Sequence, residues 1–308
     1  MVSNQWRQEL VERLADSPVH FDAPMAAWTT MKVGGPADAL VEGKSEKDIL
    51  AAMRFAKEKG LPLFIMGKGS NLIVRDGGIR GVVLLVALDK LNVRGVAVSA
   101  EAGCRLPFVA RDVMQKNLAG LEFAQGIPGS VGGAVIMNAG AYDGEMAQVI
   151  RRVRYIDSAQ QIVERDVTAA DFAYRTSIFA REGWTVLRAE FGLHRDVDGA
   201  ARCRFDAFRA ARQAKQPIEM PSAGSVFKRP EGYFAGQLIE EAGLRGASLG
   251  GAQVSPKHAG FIVNQGGATA ADVLALIEQV QQRVLAHSGV ELQLEVRVVG
   301  EPPAANLF

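Results

Sequence analysis

Hydrophobic and polar positions alternate between two periods along this chain. In SEKDILAAMRFAKEKG (45–60) the apolar residues recur at helical spacing behind a serine N-cap and stop at a glycine, which predicts a helix. LPLFIM (61–66), GVVLLVAL (81–88) and RGVAVSAEAG (94–103) are short apolar stretches that read as buried strands. LPFVARDVMQKN (106–117) returns to helical spacing, and VIRRVRYID with QIVERDV (149–167) predicts a strand pair turning at SAQ. Past residue 195 the texture changes. A basic helix over 198–217 is long enough to bridge two domains, AGQLIEEAGLRG (235–246) is a helix closed by glycine, and 269–289 is a long helix with Thr269 as N-cap. VELQLEVRVVG (290–300) alternates strictly, so Leu292, Leu294, Val296 and Val298 share one face of a strand. The first residues, MVSNQWRQELVERLAD, form an amphipathic helix interrupted by charge throughout, unlike a signal peptide.

This pattern is α/β or α+β, with a boundary near 195–205 and another near 65. At 308 residues and 48% hydrophobic content the chain supports two or three domains. Its 35 basic residues balance 34 acidic ones. No basic excess points to nucleic acid or an anionic membrane surface, so any anionic ligand must be met by local groups. Cys104 and Cys203 form no paired motif, and the four histidines have no metal-ligand spacing. A cytoplasmic protein without a metal is expected.

Two glycine-rich turns call for chemistry: GKGSN (67–71) and GIPGSVGG (126–133). A dinucleotide fingerprint fails, because Leu72 stands where a third glycine is required. No phosphate-loop motif GxxxxGK[ST] occurs, and Ser130 follows Pro128 where a nucleophile elbow needs glycine. What remains open is either a backbone nest for an anion such as a pyrophosphate, or tight turns in a packed sheet.

TTMKVGGPAD (29–38), GKGSNLIVRDGG (67–78), GIPGSVGGAVIMNAGAYDGE (126–145), YRTSIF (174–179), PSAGSVFKRP (221–230), KHAGFIVN (257–264) and the segment 267–300 together resemble the UDP-N-acetylenolpyruvoylglucosamine reductase family. The resemblance covers nearly the whole chain in order. It implies an α+β fold with a two-part FAD-binding region of the vanillyl-alcohol oxidase type and a C-terminal α/β substrate domain. The expected divisions are 1–66 and 67–197 for the two flavin-binding subdomains and 198–308 for the substrate domain. The implied activity is reduction of the enolpyruvyl group of a UDP-sugar for peptidoglycan synthesis, with non-covalent FAD and NADPH as co-substrate. A monomer acting on a small molecule, with no nucleic-acid or membrane partner, is expected.

By the same resemblance, Gly67, Gly69, Ser70 and Asn71 match one flavin-phosphate turn, and Gly126, Pro128, Gly129, Ser130, Gly132 and Gly133 match the other. Asn138, Ala139 and Gly140 belong to the second block. Arg175 matches the residue that polarises the substrate carboxylate, Ser225 the proton donor, and Glu295 the residue that steadies the enol. Taken singly, each has an ordinary reading: a surface cation, a turn serine, a solvated strand face. His258 reads as a packing residue. The chain departs from the family's common pattern at Arg229, where Asn is usual, and at Asp143, where Gly is usual. No tyrosine lies between Arg175 and Ser225, so the chain resembles the shorter branch that lacks a Tyr-bearing loop. Lys215, Lys228 and Arg229 are then the candidates for gripping the substrate diphosphate. Competing readings are a flavin oxidase, disfavoured by the lack of a tethering histidine in either turn, and a non-catalytic binding protein.

Overall fold

Residues 5–303 are described by the computed structural model. They fall into two compact units built from interleaved segments. The first comprises the chain up to Phe21, Ala39–Lys68 and Gly81–Ala211; the second comprises Asp22–Asp38, Gly69–Arg80 and the chain from Arg212. The expected divisions at 66/67 and 197/198 run consecutively along the chain; the compact units do not.

In the first unit, the helix Glu46–Glu58 starts where Ser45 accepts the Asp48 amide, satisfying one of the donors a helix N-terminus leaves open. Its apolar face buries Ile49, Ala52 and Phe55. Full burial of a side chain such as Phe55 contributes roughly 1.5–3 kcal/mol. The expected N-terminal helix is present at Gln5–Arg13; its first four residues lie outside the described residues. Leu63–Met66 pairs in parallel with Ile79–Val86.

The main sheet of this unit has five antiparallel strands, in the order Ile162–Asp166, Ile150–Ile156, Thr185–Gly192, Ala97–Glu101 and Leu91–Arg94. The expected strand pair over 149–167 is its first hairpin. Along Ile150–Ile156 the buried residues are Ile150, Val153, Tyr155 and Ile156. The arginines go outward, Arg152 to Asp166 at 2.7 Å and Arg154 to Glu46 at 2.7 Å and Glu164 at 2.9 Å. Tyr155 stacks on Trp184 and meets Phe179 edge-on within the core.

The second unit is a four-stranded antiparallel sheet, Ser222–Ser225, Phe261–Asn264, Ala252–Val254 and Ser248–Leu249, packed by the helix Ala270–Ser288. That helix has a full capping box, with Thr269 accepting the Asp272 amide, and it ends on Gly289 at φ 72°, a left-handed cap that glycine adopts without steric cost. Its buried residues Val273, Leu276, Ile277, Val280 and Val284 follow helical spacing and join one core with Met31, Val33, Ile73 and Val254.

The stretch 290–300 differs from expectation. Leu292 and Val296 are buried as the alternation requires, but a regular strand exists only at Arg297–Val299, parallel to Leu72–Val74. The amides of Glu295 and Val296 both turn to the carbonyl of Val226, so the ladder is broken where the segment crosses that residue. Among the described residues no helix is long and apolar enough to cross a membrane.

Candidate active site

The second glycine turn precedes a short helix, Val131–Ile136, capped by Ser130. Gly126 and Gly129 sit at φ 75° and 118°, conformations that L side chains avoid. The amides of Val131 and Gly132 are already taken by the carbonyls of Cys104 and Ala102, at 2.9 and 2.8 Å. A Cβ on Gly132 would stand 2.8 Å from that of Ala102. Gly132 therefore serves the close approach of two backbones. Gly67, from the first turn, meets the second turn directly, since a Cβ there would press into the Ser130 hydroxyl. The two turns thus approach too closely at Gly67 and Ser130 for a side chain to stand between them.

Several residues matched to the flavin site also carry structural bonds. Asn138, buried and at φ 42°, donates to the Ala173 carbonyl at 3.2 Å and accepts the Ala147 amide at 2.9 Å. The Ala139 carbonyl accepts the Met146 amide. Gly140 lies in a two-residue strand so close to its partner that a Cβ would meet the Gly144 carbonyl at 2.7 Å. In the second unit, Gly69 is left-handed at φ 63° and its carbonyl accepts the Thr30 amide at 3.2 Å. Ser70 directly precedes Asn71, whose side chain donates to the carbonyl of Glu295 at 3.1 Å; the Asn71 carbonyl accepts the Arg297 amide at 3.0 Å.

Arg175 belongs to the first unit. The strands Phe172–Ala173 and Thr176–Ser177 pair as a hairpin whose two-residue turn is Tyr174–Arg175. Arg175 holds φ 57°, and its guanidinium lies 5.2 Å from the centroid of the exposed Tyr174 ring. A left-handed arginine is strained, and strain of this kind concentrates at functional positions.

Ser225 and Glu295 belong to the second unit. Ser222 faces Val263 and Ser225 faces Phe261, with a register shift between them and Gly224 at φ 79°. The extra residue is a β-bulge, a device that re-aims the side chain after it. The Val226 carbonyl then accepts the Glu295 amide at 2.8 Å, so the residue after Ser225 is bonded to Glu295. Both side chains are half-buried. Asn71 fixes the other side of the Glu295 peptide.

Beyond the bulge, the Lys228 amide donates to the Gln293 carbonyl at 2.8 Å while its side chain is exposed. Arg229 stacks over Phe234 at 4.1 Å from the ring centroid, a partner that no local sequence signal indicated. Lys215 is the last residue of the helix Ala200–Lys215. His258 packs as expected: its Nδ1 accepts the Gly260 amide, its ring meets Phe261 edge-on, and burial holds it below the usual imidazole range. Burial pushes the Cys104 thiol up to about 11, which leaves it an inert core group. Among the described residues no cluster of His, Cys, Asp or Glu could hold a metal.

Residues 37–165 match the family model for an FAD binding domain, and residues 216–299 match that for the UDP-N-acetylenolpyruvoylglucosamine reductase C-terminal domain. A UDP-N-acetylenolpyruvoylglucosamine reductase of Clostridium novyi (strain NT) is 50% identical over 90% of this chain and 91% of its own. That of Clostridium perfringens (strain SM101 / Type A) is 46% identical over 92% and 94%. The crystal structure of the Thermus caldophilus UDP-N-acetylenolpyruvylglucosamine reductase superposes with a TM-score of 0.78 at 33% identity, over 92% of this chain and 98% of that one. An FAD-binding domain joined to a C-terminal domain of this kind defines an α+β flavoprotein oxidoreductase. The chain belongs to the UDP-N-acetylenolpyruvoylglucosamine reductase family, whose place is in peptidoglycan precursor synthesis.

Proposed function

We propose that this enzyme reduces UDP-N-acetylglucosamine enolpyruvate to UDP-N-acetylmuramate, with NADPH as co-substrate and Ser225 as proton donor. It does so as a cytoplasmic monomer, with flavin-binding subdomains at 1–66 and 67–197 and a substrate domain at 198–308. Bound FAD, held without a covalent link by Gly67, Gly69, Ser70, Asn71 and the turn Gly126–Gly133, would supply the hydride chemistry.

The chain's own residues supply the rest. Hydride arriving at the terminal carbon of the enolpyruvyl group leaves negative charge on the carbon beside the carboxylate. The planar fork of Arg175 suits that carboxylate better than a lysine would. The carbon then needs a proton. Ser225 is a weak acid, and it can donate only where its direction is fixed and the resulting charge is met. The bulge at Gly224 supports that direction, and Glu295 would steady the enol and share the proton. Lys215, Lys228 and Arg229 have the charge to grip the diphosphate, and Arg229 stacks on Phe234.

The observation that carries this reading is the pair of bonds, Asn71 to the Glu295 carbonyl and the Glu295 amide to Val226, which ties Glu295 to the residue after Ser225. Rapid mixing of the Ser225→Ala variant tests it. Reduction of its flavin by NADPH should be nearly unchanged, and reoxidation by the enolpyruvyl substrate should slow ~10²-fold or more, the scale of general acid catalysis. Equal slowing of both steps would make Ser225 a shaping residue, and no slowing would move the proton to another donor.

A further inference from the structure

Within the second unit, Ser225 lies between two anchors of unequal strength. Downstream, the Val226 amide donates to the Gly260 carbonyl at 2.9 Å, and the Val226 carbonyl accepts the amides of Glu295 and Val296 at 2.8 and 3.3 Å. Upstream the hold is weaker. Ser222–Ser225 is an edge strand of its four-stranded sheet, paired on one side to Phe261–Asn264. The register shift between Ser222 and Ser225 interrupts that pairing. Gly224, at φ 79°, has open space where a Cβ would stand, so no side chain packs there to hold the backbone. The ladder alone does not fix the approach to Ser225.

A residue distant in sequence does. The half-buried Thr30 donates its hydroxyl to the Ser222 carbonyl at 2.6 Å. The other acceptor within reach, the Gly69 carbonyl, is 3.4 Å away, long for a hydroxyl donor. That carbonyl already accepts the Thr30 amide at 3.2 Å. The two duties are therefore separable: the main chain of Thr30 holds the first glycine turn, and its side chain holds the strand of Ser225. The loop that carries Thr30 is itself fixed. The buried Thr29 donates its hydroxyl to the Val33 carbonyl at 3.2 Å, and Met31 and Val33 are buried in the core of this unit. The side-chain amide of Asn264 donates to the carbonyls of Met31 and Lys32 at 3.1 and 3.5 Å. Asn264 ends the strand that pairs with Ser222–Ser225, and its own amide donates to the Pro221 carbonyl at 2.9 Å. Loop and strand are thus tied both through Asn264 and through the Thr30 hydroxyl.

We infer that Thr30 is a positioning residue for proton delivery, its hydroxyl fixing the strand from which Ser225 donates. The inference rests on Ser225 being the donor. The role needs no contact between Thr30 and the substrate. A misplacement of about 1 Å can cost on the order of 10²-fold in rate, so one hydrogen bond shortly before the donor is a sufficient lever.

Thr30→Val removes the hydroxyl and keeps the branched shape, whereas Thr30→Ser keeps the hydroxyl and loses a methyl group. Rapid mixing of the flavin-loaded enzymes separates the two half-reactions. In Thr30→Val, reduction of the flavin by NADPH is nearly unchanged, and reoxidation by the enolpyruvyl UDP-sugar slows about tenfold or more, within the range that misplacement produces. Flavin affinity, measured by fluorescence on titrating the deflavinated protein, is that of the wild type, because the amide that holds Gly69 is intact. Thr30→Ser recovers most of the reoxidation rate. The decisive comparison adds Thr30→Val to Ser225→Ala. With the donor gone its direction is worth nothing, so Thr30→Val then slows reoxidation hardly further, the non-additivity of groups that act as a unit. Thr30→Ala, which loses the hydroxyl in a different shape, repeats the test if the valine variant does not fold. Reoxidation at the wild-type rate in Thr30→Val overturns the inference. So do equal slowing of both half-reactions, full slowing in the Ser225→Ala background, and a serine variant that recovers nothing, since each makes Thr30 a packing residue. Weakened flavin binding in Thr30→Val overturns it by assigning the hydroxyl to the glycine turn. Wild-type reoxidation in Ser225→Ala alone overturns the donor assignment and this inference with it, and that failure is read from the single variant, apart from the others.

Discussion

Single residues in left-handed backbone mark where this chain departs from what its side chains prefer. Tyr142 and Asp143 form the two-residue turn between Gly140–Ala141 and Gly144–Glu145, at φ 51° and 62°. Both central residues at positive φ is the mirror-type hairpin turn that favours Asn-Gly. Tyr142 is held there by its ring, stacked on Phe208 at 4.2 Å between centroids. Asp143 is exposed, and its carbonyl rather than its side chain accepts a bond, from Gln148 at 3.2 Å. Its carboxylate does nothing to offset the conformation. Asp143→Gly should therefore stabilise the protein by about 0.5 kcal/mol, the relief of left-handed strain less the greater freedom of glycine in the unfolded chain. Urea denaturation of both proteins measures it, and a lower midpoint for the glycine variant would show that the aspartate has a partner role. Arg175 bears the same strain at φ 57°, but substitution to glycine there would also remove the guanidinium proposed to meet the substrate carboxylate.

At the scale of elements, one buried carboxylate ties two helices of the first unit together. Asp48, in the first turn of Glu46–Glu58, accepts the amides of Ala15 and Asp16 at 3.0 and 3.2 Å and the Ser17 hydroxyl at 2.8 Å. These residues follow the helix Gln5–Arg13. Burial pushes the Asp48 carboxyl up, but the donors from Ala15, Ser17 and Asp16 outweigh it and hold the group below the usual aspartate range. A folded-state value lower than the unfolded one stabilises the fold above the unfolded value, about 3.9, and that stabilisation is lost as pH falls through the folded value. Asp48→Asn should cost about 1–3 kcal/mol at pH 7, the price of leaving buried donors poorly matched. The gap from wild type should narrow as denaturation is repeated below about pH 4. A gap constant with pH would assign the loss to shape instead of charge. Elements of this kind were legible in the sequence as far as their determinants were local. The Ser45 and Thr269 caps and the apolar spacing of Ala270–Ser288 are short-range signals, and all three are present. The stretch 290–300 was legible only in its burial, because its ladder is decided by the Val226 carbonyl, far away in sequence. The bulge that aims Ser225 and the ring beneath Arg229 were likewise invisible, since each depends on a register or an approach that no local pattern encodes.

At the scale of the molecule, the chain interleaves its two units, and short segments such as Asp22–Asp38 and Gly69–Arg80 join the second without any change of composition to announce it. The first glycine turn lies where the chain passes from one unit to the other, at Lys68 and Gly69. Its first glycine, Gly67, belongs to the first unit and faces Ser130 of the second turn. The cradle read from these turns depends on that missing side chain. Gly67→Ala would push a methyl group into the Ser130 hydroxyl. The position is only half-buried and outside the core, so the variant should fold. It should hold FAD roughly tenfold less tightly or worse, a loss of about 1.4 kcal/mol or more. Ser225→Ala, in the second unit, should keep its full flavin content. Adding Ser130→Gly to Gly67→Ala removes the obstacle as well as the helix cap, and a pair in direct contact is expected to be non-additive. The double variant should therefore bind FAD better than Gly67→Ala alone, measured by flavin fluorescence on titrating the deflavinated protein. Additive losses would mean that the two turns act on the flavin independently and that their junction is a matter of packing alone. Flavin affinity unchanged in Gly67→Ala would remove the first turn from the site.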